Sequence, residues 1–279
     1  DLSRKLEIDI AIDLTAFTSN SRSGIFSYRA APIQINYLGY PGTMGAEYID
    51  YIIADEVIIP KHNFDYYSEK VLYLPDCYQA NMSQKDISTK EFKRSDFDLP
   101  DNAFVYCSFN NNYKITPHIF DIWMNILKKV PNSVLWILKS NETANKNLKK
   151  ETAVRGVDPN RIIFASYLPN DEHLKRILLA DLFLDTFPYN AHVTASDAIR
   201  MGIPIVTLAG NSFASRVGAS ILSCVGIKEL ITNSTKDYQD LGIELAIKPN
   251  KLTKFKNRIR DTVSKSTLFN SHAFTKKLE

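Results

Sequence analysis

The sequence predicts an α/β protein built on parallel β-sheet, and three observations lead to this class. From Ala103 onward, apolar runs of about five residues alternate with helical patterns. The helical segments carry start and stop signals, such as Pro117 in a first turn and Gly156 after a last one. Polar residues gather in the loops that follow the strands, whereas tight turns precede them. Such an alternation gives a parallel sheet with helices on both faces.

The first hundred residues predict a smaller set of strands. Glu7–Leu14 alternates acidic and aliphatic residues, and Ile33–Thr43 reads as a strand that ends in a Gly/Pro loop. The stretches "YIDYIIAD" and "KVLYLP" are further short strands, and "SGIFSYR" is a short helix. Residues 80–100 lose the apolar pattern and gain charge, which is typical of a linker.

The second part of the chain predicts five strands: "AFVYCSF", "SVLWIL", "RIIFAS", "DLFLD" and "PIVTL". Each is followed by a helix, namely "PHIFDIWMNILKKV", "NETANKNLKKETAVRG", "NDEHLKRILLA", "HVTASDAIRMG" and "SRVGASILSCVG". Two more helices fill Thr235–Ala246 and Lys251–Ser264.

The composition excludes several classes of protein. The chain has 279 residues, 44% hydrophobic and 23% charged, which is enough for one large or two ordinary globular domains. Its net charge of +3 is too small to indicate a nucleic-acid partner. No apolar run approaches the ~20 residues that cross a bilayer. The three cysteines have no metal-ligand spacing, so we expect free thiols in the reducing cytoplasm. The start lacks an initiator Met, and we expect a fragment of a longer protein.

The loops after the strands carry the candidate site residues, because ligands bind at the carboxyl ends of parallel strands. Lys114 follows the first strand of the alternating region, and His173 follows the third. His192, Thr194 and Asp197 follow the fourth, where a helix begins. A helix start binds anions through its unpaired N–H groups. A hydroxyl from Thr194 and the Lys114 ammonium would add to that site.

Asp197 lies one turn into this helix and would suit a sugar diol, so phosphate and diol together indicate a nucleotide. Each residue also has a simpler interpretation. Thr194 is a plausible helix cap, Asp197 complements the helix dipole, and the histidines and Lys114 suit an exposed surface. Their convergence at one sheet edge favours the nucleotide site.

The absence of several known motifs argues against further reaction classes. There is no G-x-G-x-x-G and no G-x-x-x-x-G-K-[ST], which argues against hydride transfer and against an NTPase. No G-x-S-x-G elbow occurs. An Asp-x-Asp pair, Asp96 and Asp98, lies in the linker-like stretch and reads as solvated loop. We predict no metal site and no cofactor.

Several stretches together resemble a known family. They are "APIQINYLGYPGT", "FNNNYKITP", "RIIFASYLPNDEHL", "ADLFLDTFPYNAHVTASDAI" and "GIPIVTLAGNSFASRVGASIL". They resemble the catalytic region of O-linked N-acetylglucosamine transferases, glycosyltransferase family 41, which includes bacterial relatives and SPINDLY-type proteins. The resemblance covers nearly the whole chain, in the family's order.

The resemblance implies a GT-B fold, with two Rossmann-like lobes facing across a cleft. Residues 1–100 would be an incomplete N-terminal lobe plus linker, residues 101–265 the C-terminal nucleotide-sugar lobe, and residues 266–279 a helix returning to the N-terminal lobe. It further implies an inverting, metal-independent transfer of a sugar, N-acetylglucosamine from UDP-N-acetylglucosamine, to Ser or Thr of an acceptor protein. Tetratricopeptide repeats are expected upstream in the parent protein, and neither a nucleic acid nor a membrane is an expected partner.

The resemblance also assigns roles to residues. Lys114 and His192 are the implied catalytic residues, and Lys114 would steady the leaving diphosphate. The implied nucleotide-binding residues are Asn111, Leu168, His173, Arg176, His192, Thr194 and Asp197. The implied sugar-binding residues are Thr18, Leu38, Gly39 and Pro41.

Four departures from the family pattern keep an alternative open. Val193 stands where members usually have Thr, Asn111 where Gln is common, Ala16-Phe17 where Gly-His or Gly-Tyr is usual, and Asn170 where animal members have Lys. The alternative is a catalytically weak or inactive nucleotide-sugar-binding module of a larger repeat-containing protein. The sequence leaves the donor open between UDP-N-acetylglucosamine, GDP-fucose and UDP-glucose, and it leaves the acceptor and the oligomeric state open.

Overall fold

The computed structural model describes all 279 residues and contains two parallel sheets. The first sheet has four strands in the order in which they follow one another along the chain. These strands are β1 (Ile10–Asp13), β2 (Ile33–Asn36), β3 (Tyr51–Ala54) and β4 (Lys70–Tyr73).

The second sheet has six parallel strands in the order β10-β9-β8-β5-β6-β7. Their bounds are β5 (Phe104–Ser108), β6 (Ser133–Leu138), β7 (Ile162–Ala165), β8 (Leu182–Leu184), β9 (Ile205–Leu208) and β10 (Ile231–Thr232). The predicted parallel α/β class is confirmed, and the five predicted strands are present. The two-residue β10 was not predicted.

Nine α-helices connect and flank the strands: α1 (Leu2–Lys5), α2 (Pro117–Lys129), α3 (Glu142–Val154), α4 (Asn170–Ile177), α5 (Val193–Arg200), α6 (Val217–Cys224), α7 (Thr235–Ile247), α8 (Pro249–Val263) and α9 (Ser271–Leu278). Local signals explain where they begin. Thr116 caps α2 by accepting a hydrogen bond from the N–H of Ile119 at 3.3 Å, and Asn141 caps α3 in the same way. None of the helices is long and apolar enough to cross a membrane.

The strand order of the second sheet reverses between β5 and β8. The chain runs outward from β5 to β6 and β7, then crosses back to pair β8 with the other side of β5. The loops that leave these two neighbouring strands therefore turn away from each other and open a crevice at their carboxyl ends. The largest concentration of predicted site residues lies in the loops around this crevice.

A continuous hydrophobic core of 59 buried residues joins the two lobes. Polar contacts add to the joint. Asp55, which follows β3, accepts a hydrogen bond from Ser220 in α6 at 2.6 Å and from the N–H of Tyr78 at 2.8 Å. The Tyr78 ring packs edge-on against Phe213 of the second lobe, with centroids 5.0 Å apart. The lobes thus have a packed interface.

Two segments outside the sheets, residues 74–103 and α9, contact each other. Residues 74–103 contain no strand, only a 3-10 turn at Arg94–Phe97. At the other end of the chain, α9 packs next to the segment that follows β4. There Lys277 pairs with Asp76, and Ser271 lies 2.7 Å from Ser83, hydroxyl to hydroxyl.

Candidate nucleotide-binding site

A cleft of about 380 Å³ opens at the crevice between β5 and β8. Its walls come from the loops after β5, β6, β7 and β8, and from the first turns of α4 and α5. The lining residues are Phe109, Asn110, Asn111, Lys114, Leu138, Tyr167, Leu168, Asn170, His173, Arg176, His192, Val193 and Thr194. The structure thus brings together most of the predicted nucleotide-side residues.

Lys114 stands at the floor of the cleft with 9% of its surface exposed. Its ammonium donates a hydrogen bond to the carbonyl of Asn190 at 2.9 Å and lies 4.1 Å from the centre of the Tyr189 ring. Burial lowers the pKa of Lys114 to about 8, and the nearby Asp185 carboxylate opposes that shift. The amine is therefore largely protonated at neutral pH and keeps donors free for a ligand.

Asp185 anchors the loop from which His192 projects. Its Oδ1 accepts hydrogen bonds from the N–H groups of Thr186 and Ala191, at 2.8 and 2.7 Å, and its Oδ2 accepts one from Thr207 at 2.6 Å. Burial raises the pKa of Asp185 to about 7, and these hydrogen bonds oppose the shift. A Cβ at Gly218 would lie 2.6 Å from Oδ2, so only glycine leaves room for this anchor.

His192 is the residue before α5, and its ring stacks on Tyr189 with centroids 5.1 Å apart. Burial lowers the pKa of His192 to about 3, with a further contribution from Lys114. The imidazole is therefore neutral at physiological pH. Its Nε2 is buried and has no hydrogen-bond partner in the protein. Because buried polar atoms are rarely left unpaired, Nε2 is available to a ligand.

The start of α5 presents free donors. The backbone N–H groups of Val193 and Thr194 donate to no backbone carbonyl, and no side chain caps the helix. The sequence predicted that the Thr194 hydroxyl adds a donor for phosphate. In the structure this hydroxyl donates to Asn110 at 2.9 Å. The backbone N–H groups, rather than the hydroxyl, are the free donors here.

The opposite wall holds the predicted base-side residues. The His173 ring packs edge-on against Phe109, with centroids 5.1 Å apart, and its Nδ1 accepts a hydrogen bond from Arg176 at 3.0 Å. Burial lowers the pKa of His173 to about 4, so the ring is neutral and carries its proton on Nε2. Arg176 is only 1% exposed and also donates to the carbonyl of Ser166. Because Arg176 is almost fully buried, its main role would be to orient the His173 ring rather than to contact a ligand over a large area.

Asp197 does not line the cleft, although it lies one turn beyond Thr194. Its Oδ1 pairs with the ammonium of Lys85 at 2.5 Å, and both side chains are largely buried. Lys85 comes from the segment between the lobes and was not among the predicted site residues.

The four predicted sugar-side residues lie on the other lobe, in the loops that follow β1 and β2. Leu38 has a left-handed backbone, with φ of 69°, and a Cβ at Gly39 would lie 2.2 Å from the Leu14 carbonyl oxygen. Thr18 is exposed and donates to the carbonyl of Thr15. Pro41 is half-buried. None of the four lines the cleft at β5 and β8.

Tyr40, in the loop after β2, has an electrostatic influence on Tyr189, which contacts two residues of the cleft. Burial raises the pKa of Tyr189, and the nearby Tyr113 and Tyr40 hydroxyls raise it further. The Tyr40 hydroxyl is therefore near enough to Tyr189 to influence its pKa.

Four contributors to the site were missed from the sequence: Lys85, Asn110, Asp185 and Tyr189. Asp185 directly follows β8 and Asn110 lies two residues after β5, and these positions at the carboxyl ends of buried strands were the available signal. No local pattern indicated Lys85. No group of three or more His, Cys, Asp or Glu side chains gathers in a way that could hold a metal ion. Metal independence of the reaction stays a prediction.

Comparison with known proteins decides the family. A sequence profile described as Glycosyl transferase family 41 matches residues 3–87 and 80–278. The chain belongs to this family. Family 41 membership confirms the resemblance inferred from the motifs and identifies the chain as part of a glycosyltransferase.

Two relatives show how the chain compares with whole family 41 proteins. It is 38% identical over 280 residues to the probable UDP-N-acetylglucosamine–peptide N-acetylglucosaminyltransferase SEC of Arabidopsis thaliana, covering 98% of this chain and 29% of that protein. It is 26% identical to the UDP-N-acetylglucosamine–peptide N-acetylglucosaminyltransferase of Caenorhabditis elegans, of which it covers 33%. The chain thus spans about a third or less of the length of these relatives.

Solved structures agree with a GT-B fold. A mutant of the Thermobaculum terrenum O-GlcNAc transferase superposes with a TM-score of 0.86 at 25% identity, covering 99% of this chain and 54% of that one. The Anabaena protein Alr3699/HepE, solved with UDP and glucose, superposes with a TM-score of 0.68 at 12% identity, covering 99% and 80%. The second likeness concerns the fold alone.

Proposed function

We propose that this chain binds UDP-N-acetylglucosamine and carries the donor side of a protein O-GlcNAc transferase. The reaction is transfer of N-acetylglucosamine to Ser or Thr hydroxyls of an acceptor protein, with inversion and without a metal. The observation that carries the proposal is the meeting of two positive groups at the crevice between β5 and β8. These groups are the Lys114 ammonium and the uncapped start of α5.

The mechanism follows from where negative charge develops. Cleavage of the anomeric C–O bond leaves a diphosphate, and preorganised positive groups lower the barrier by stabilising that charge as it forms. Lys114 supplies a full charge, and the N–H groups of Val193 and Thr194 supply hydrogen bonds with the helix dipole behind them. His192, being neutral, contributes a hydrogen bond from Nε2 rather than a charge.

The base and ribose are assigned to the remaining wall. Leu168 and His173 flank the position for the base, and Asn111 lies beside Lys114 at the phosphate end. We assign Thr18, Leu38, Gly39 and Pro41 to the sugar, which would project from the diphosphate towards the other lobe. The influence of Tyr40, in the loop after β2, on the pKa of Tyr189 supports this direction.

The direct test measures UDP binding and sugar transfer on the purified chain. UDP binding should add RT ln(1 + [L]/Kd) to the free energy of unfolding. We therefore expect UDP to raise the melting temperature and GDP to have no such effect. Lys114→Met should weaken UDP binding and abolish transfer to a Ser/Thr peptide. Lys139→Met is the matched control, because Lys139 is an exposed lysine at the same sheet edge, next to the cleft residue Leu138. Unchanged transfer by Lys114→Met would remove Lys114 from the reaction.

A second candidate function is nucleotide-sugar binding with little or no turnover. It is favoured by the engagement of the Thr194 hydroxyl with Asn110 and by the apolar Val193 beside it. Binding of UDP-N-acetylglucosamine without transfer to any Ser/Thr peptide, or to water, would support it. A panel that adds GDP-fucose and UDP-glucose identifies the donor in the same experiment.

We extend the proposal to the setting of the parent protein. The greater length of the relatives is consistent with tetratricopeptide repeats that bring acceptor proteins to the cleft. The free thiols Cys77, Cys107 and Cys224 suit the reducing cytoplasm.

A further inference from the structure

A narrow crevice lies at the joint between the two lobes. Its walls come from the segment after β4, the end of α6, the turn before α9 and α9 itself, and its volume is about 10 Å³. That volume admits about one molecule the size of water. Two cysteines, Cys77 and Cys224, line this crevice, and it shares no lining residue with the cleft at β5 and β8.

The two cysteines come from different lobes and meet on one face of α6. Cys77 follows β4 of the first lobe and is 4% exposed. Its Sγ lies 3.3 Å from the hydroxyl oxygen of Ser220. Ser220 and Cys224 are both in α6 and one turn apart, so their side chains lie on the same face of this helix. The contact with Ser220 therefore places the Cys77 thiol beside Cys224.

Cys224 has the surroundings of a reactive thiol. It is half-buried, and its Sγ lies 3.7 Å from the hydroxyl oxygen of Thr267 and 3.9 Å from that of Ser266. A hydrogen bond from the Cys77 thiol contributes most to lowering the pKa of Cys224, and the two hydroxyls lower it further, against burial and the Asp76 carboxylate. Because the thiolate is the nucleophilic form of cysteine, Cys224 is the thiol that attacks.

Cys77 has the opposite character. Its hydrogen bond to Cys224, its burial and the Asp55 carboxylate all raise its pKa, against the Ser220 hydroxyl, so it stays a protonated thiol. An accessible thiolate beside a second, protonated thiol is typical of cysteine pairs that react in sequence with an oxidant. The third cysteine, Cys107, is fully buried in β5 and does not line the crevice.

We propose that Cys77 and Cys224 are a peroxide-sensitive thiol pair that joins the two lobes by a disulfide bond when it is oxidised. First, the Cys224 thiolate attacks one oxygen of hydrogen peroxide, the O–O bond breaks, hydroxide leaves, and Cys224 becomes a sulfenic acid. The Cys77 sulfur then attacks the sulfenic sulfur, and the S–O bond breaks. The departing hydroxyl takes up the Cys77 proton and leaves as water. In total, the two thiols lose two hydrogen atoms and the peroxide is reduced to two waters.

The position of the pair determines what the bond would do. It would tie the segment after β4 to α6, next to the hydrogen bond between Asp55 and Ser220 that already links the lobes. A crosslink between positions so far apart in the chain restricts the unfolded state, so the oxidised chain should be more stable to heat. The inference is independent of the proposed nucleotide-sugar function.

Peptide mapping by mass spectrometry, after treatment of the purified 279-residue chain with hydrogen peroxide, tests the inference. We expect a disulfide between the peptides that contain Cys77 and Cys224, which dithiothreitol reverses. The oxidised chain should melt several degrees higher than the reduced one. Glutathione disulfide is large for the crevice and should form no mixed disulfide at Cys224; its formation would overturn the choice of a small oxidant.

Three variants separate the roles of the cysteines. Cys77→Ser should still form a sulfenic acid at Cys224, trapped by dimedone, but no disulfide. Cys224→Ser should form neither product. Cys107→Ala is the matched control, because it removes a cysteine from outside the crevice, and it should form the disulfide as the unmodified chain does. Melting temperatures of the reduced proteins identify any variant that has lost its fold.

Three results would overturn the inference. They are a pair that stays reduced while Cys107 is oxidised, a disulfide that links two copies of the chain instead of the two lobes, and dimedone labelling of Cys77 in Cys224→Ser. None of them concerns UDP binding, so the proposed function is tested separately.

Discussion

The protonation of Lys114 should set the pH dependence of nucleotide binding. Its pKa of about 8 in the free chain follows from burial. A diphosphate beside the ammonium would raise that pKa, because an opposite charge favours the protonated form. The charge is present below pH 8 and lost as the pH rises through it. Between about pH 7 and 9 we expect the affinity for UDP to fall about tenfold, since affinity follows the protonated fraction of the free amine.

The assay is calorimetric titration of UDP at several pH values across that range. The second phosphate ionisation of the ligand, with a pKa of about 6, is largely complete at its lower end. His173 and His192, with pKa values of about 4 and 3, stay neutral throughout. Lys114→Arg is the control, because guanidinium stays protonated over this range and should give a flat profile. A flat profile for the unmodified chain would refute the placement of Lys114 at the diphosphate.

Three further predictions concern stability and the support of the site. The pKa values of His173 and His192 are depressed in the folded chain, so only the unfolded chain takes up protons at these residues as the pH falls through about 6.5. The free energy of unfolding, measured by urea denaturation, should therefore drop by about 2 to 3 kcal/mol between about pH 7.5 and 5.5, and His173→Asn should reduce the drop. Gly218→Ala should lower the free energy of unfolding by about 1 to 3 kcal/mol through overpacking, whereas Gly24→Ala, whose added methyl group meets open space, should lower it far less. Equal urea midpoints for the two variants would contradict the close approach of Gly218 to Asp185. Tyr189→Leu should weaken UDP binding about fivefold by removing the ring beside the ammonium, and Tyr189→Phe should not; equal losses would point to the hydroxyl instead.

The second lobe was predictable because its strands and helices alternate with clear boundaries. Thr116-Pro117 marks the start of α2, and the apolar run before His192 marks β8. β10 has only two residues, too few to show a pattern, and it is held by pairing with β9. The first sheet was predicted strand by strand, but its strands are shorter than the apolar runs that indicated them.

Only those features of the candidate site that follow from the sheet topology could be predicted from the sequence. The carboxyl-end rule brings Lys114 and His192 together without any knowledge of side-chain contacts. It does not give the direction of a hydroxyl, and Thr194 donates to a residue 84 positions earlier in the chain. Nor does it include Lys85, which reaches Asp197 across 112 positions from a segment with no regular structure. Such contacts depend on the packing of distant segments, which local sequence patterns do not encode.

The most direct test of the central claim is a crystal structure of this chain with UDP bound. We expect the diphosphate at the start of α5, with phosphate oxygens about 2.7 to 3.2 Å from the Lys114 ammonium and from the N–H groups of Val193 and Thr194. A diphosphate bound elsewhere, with the ammonium still held only by the Asn190 carbonyl, would contradict it.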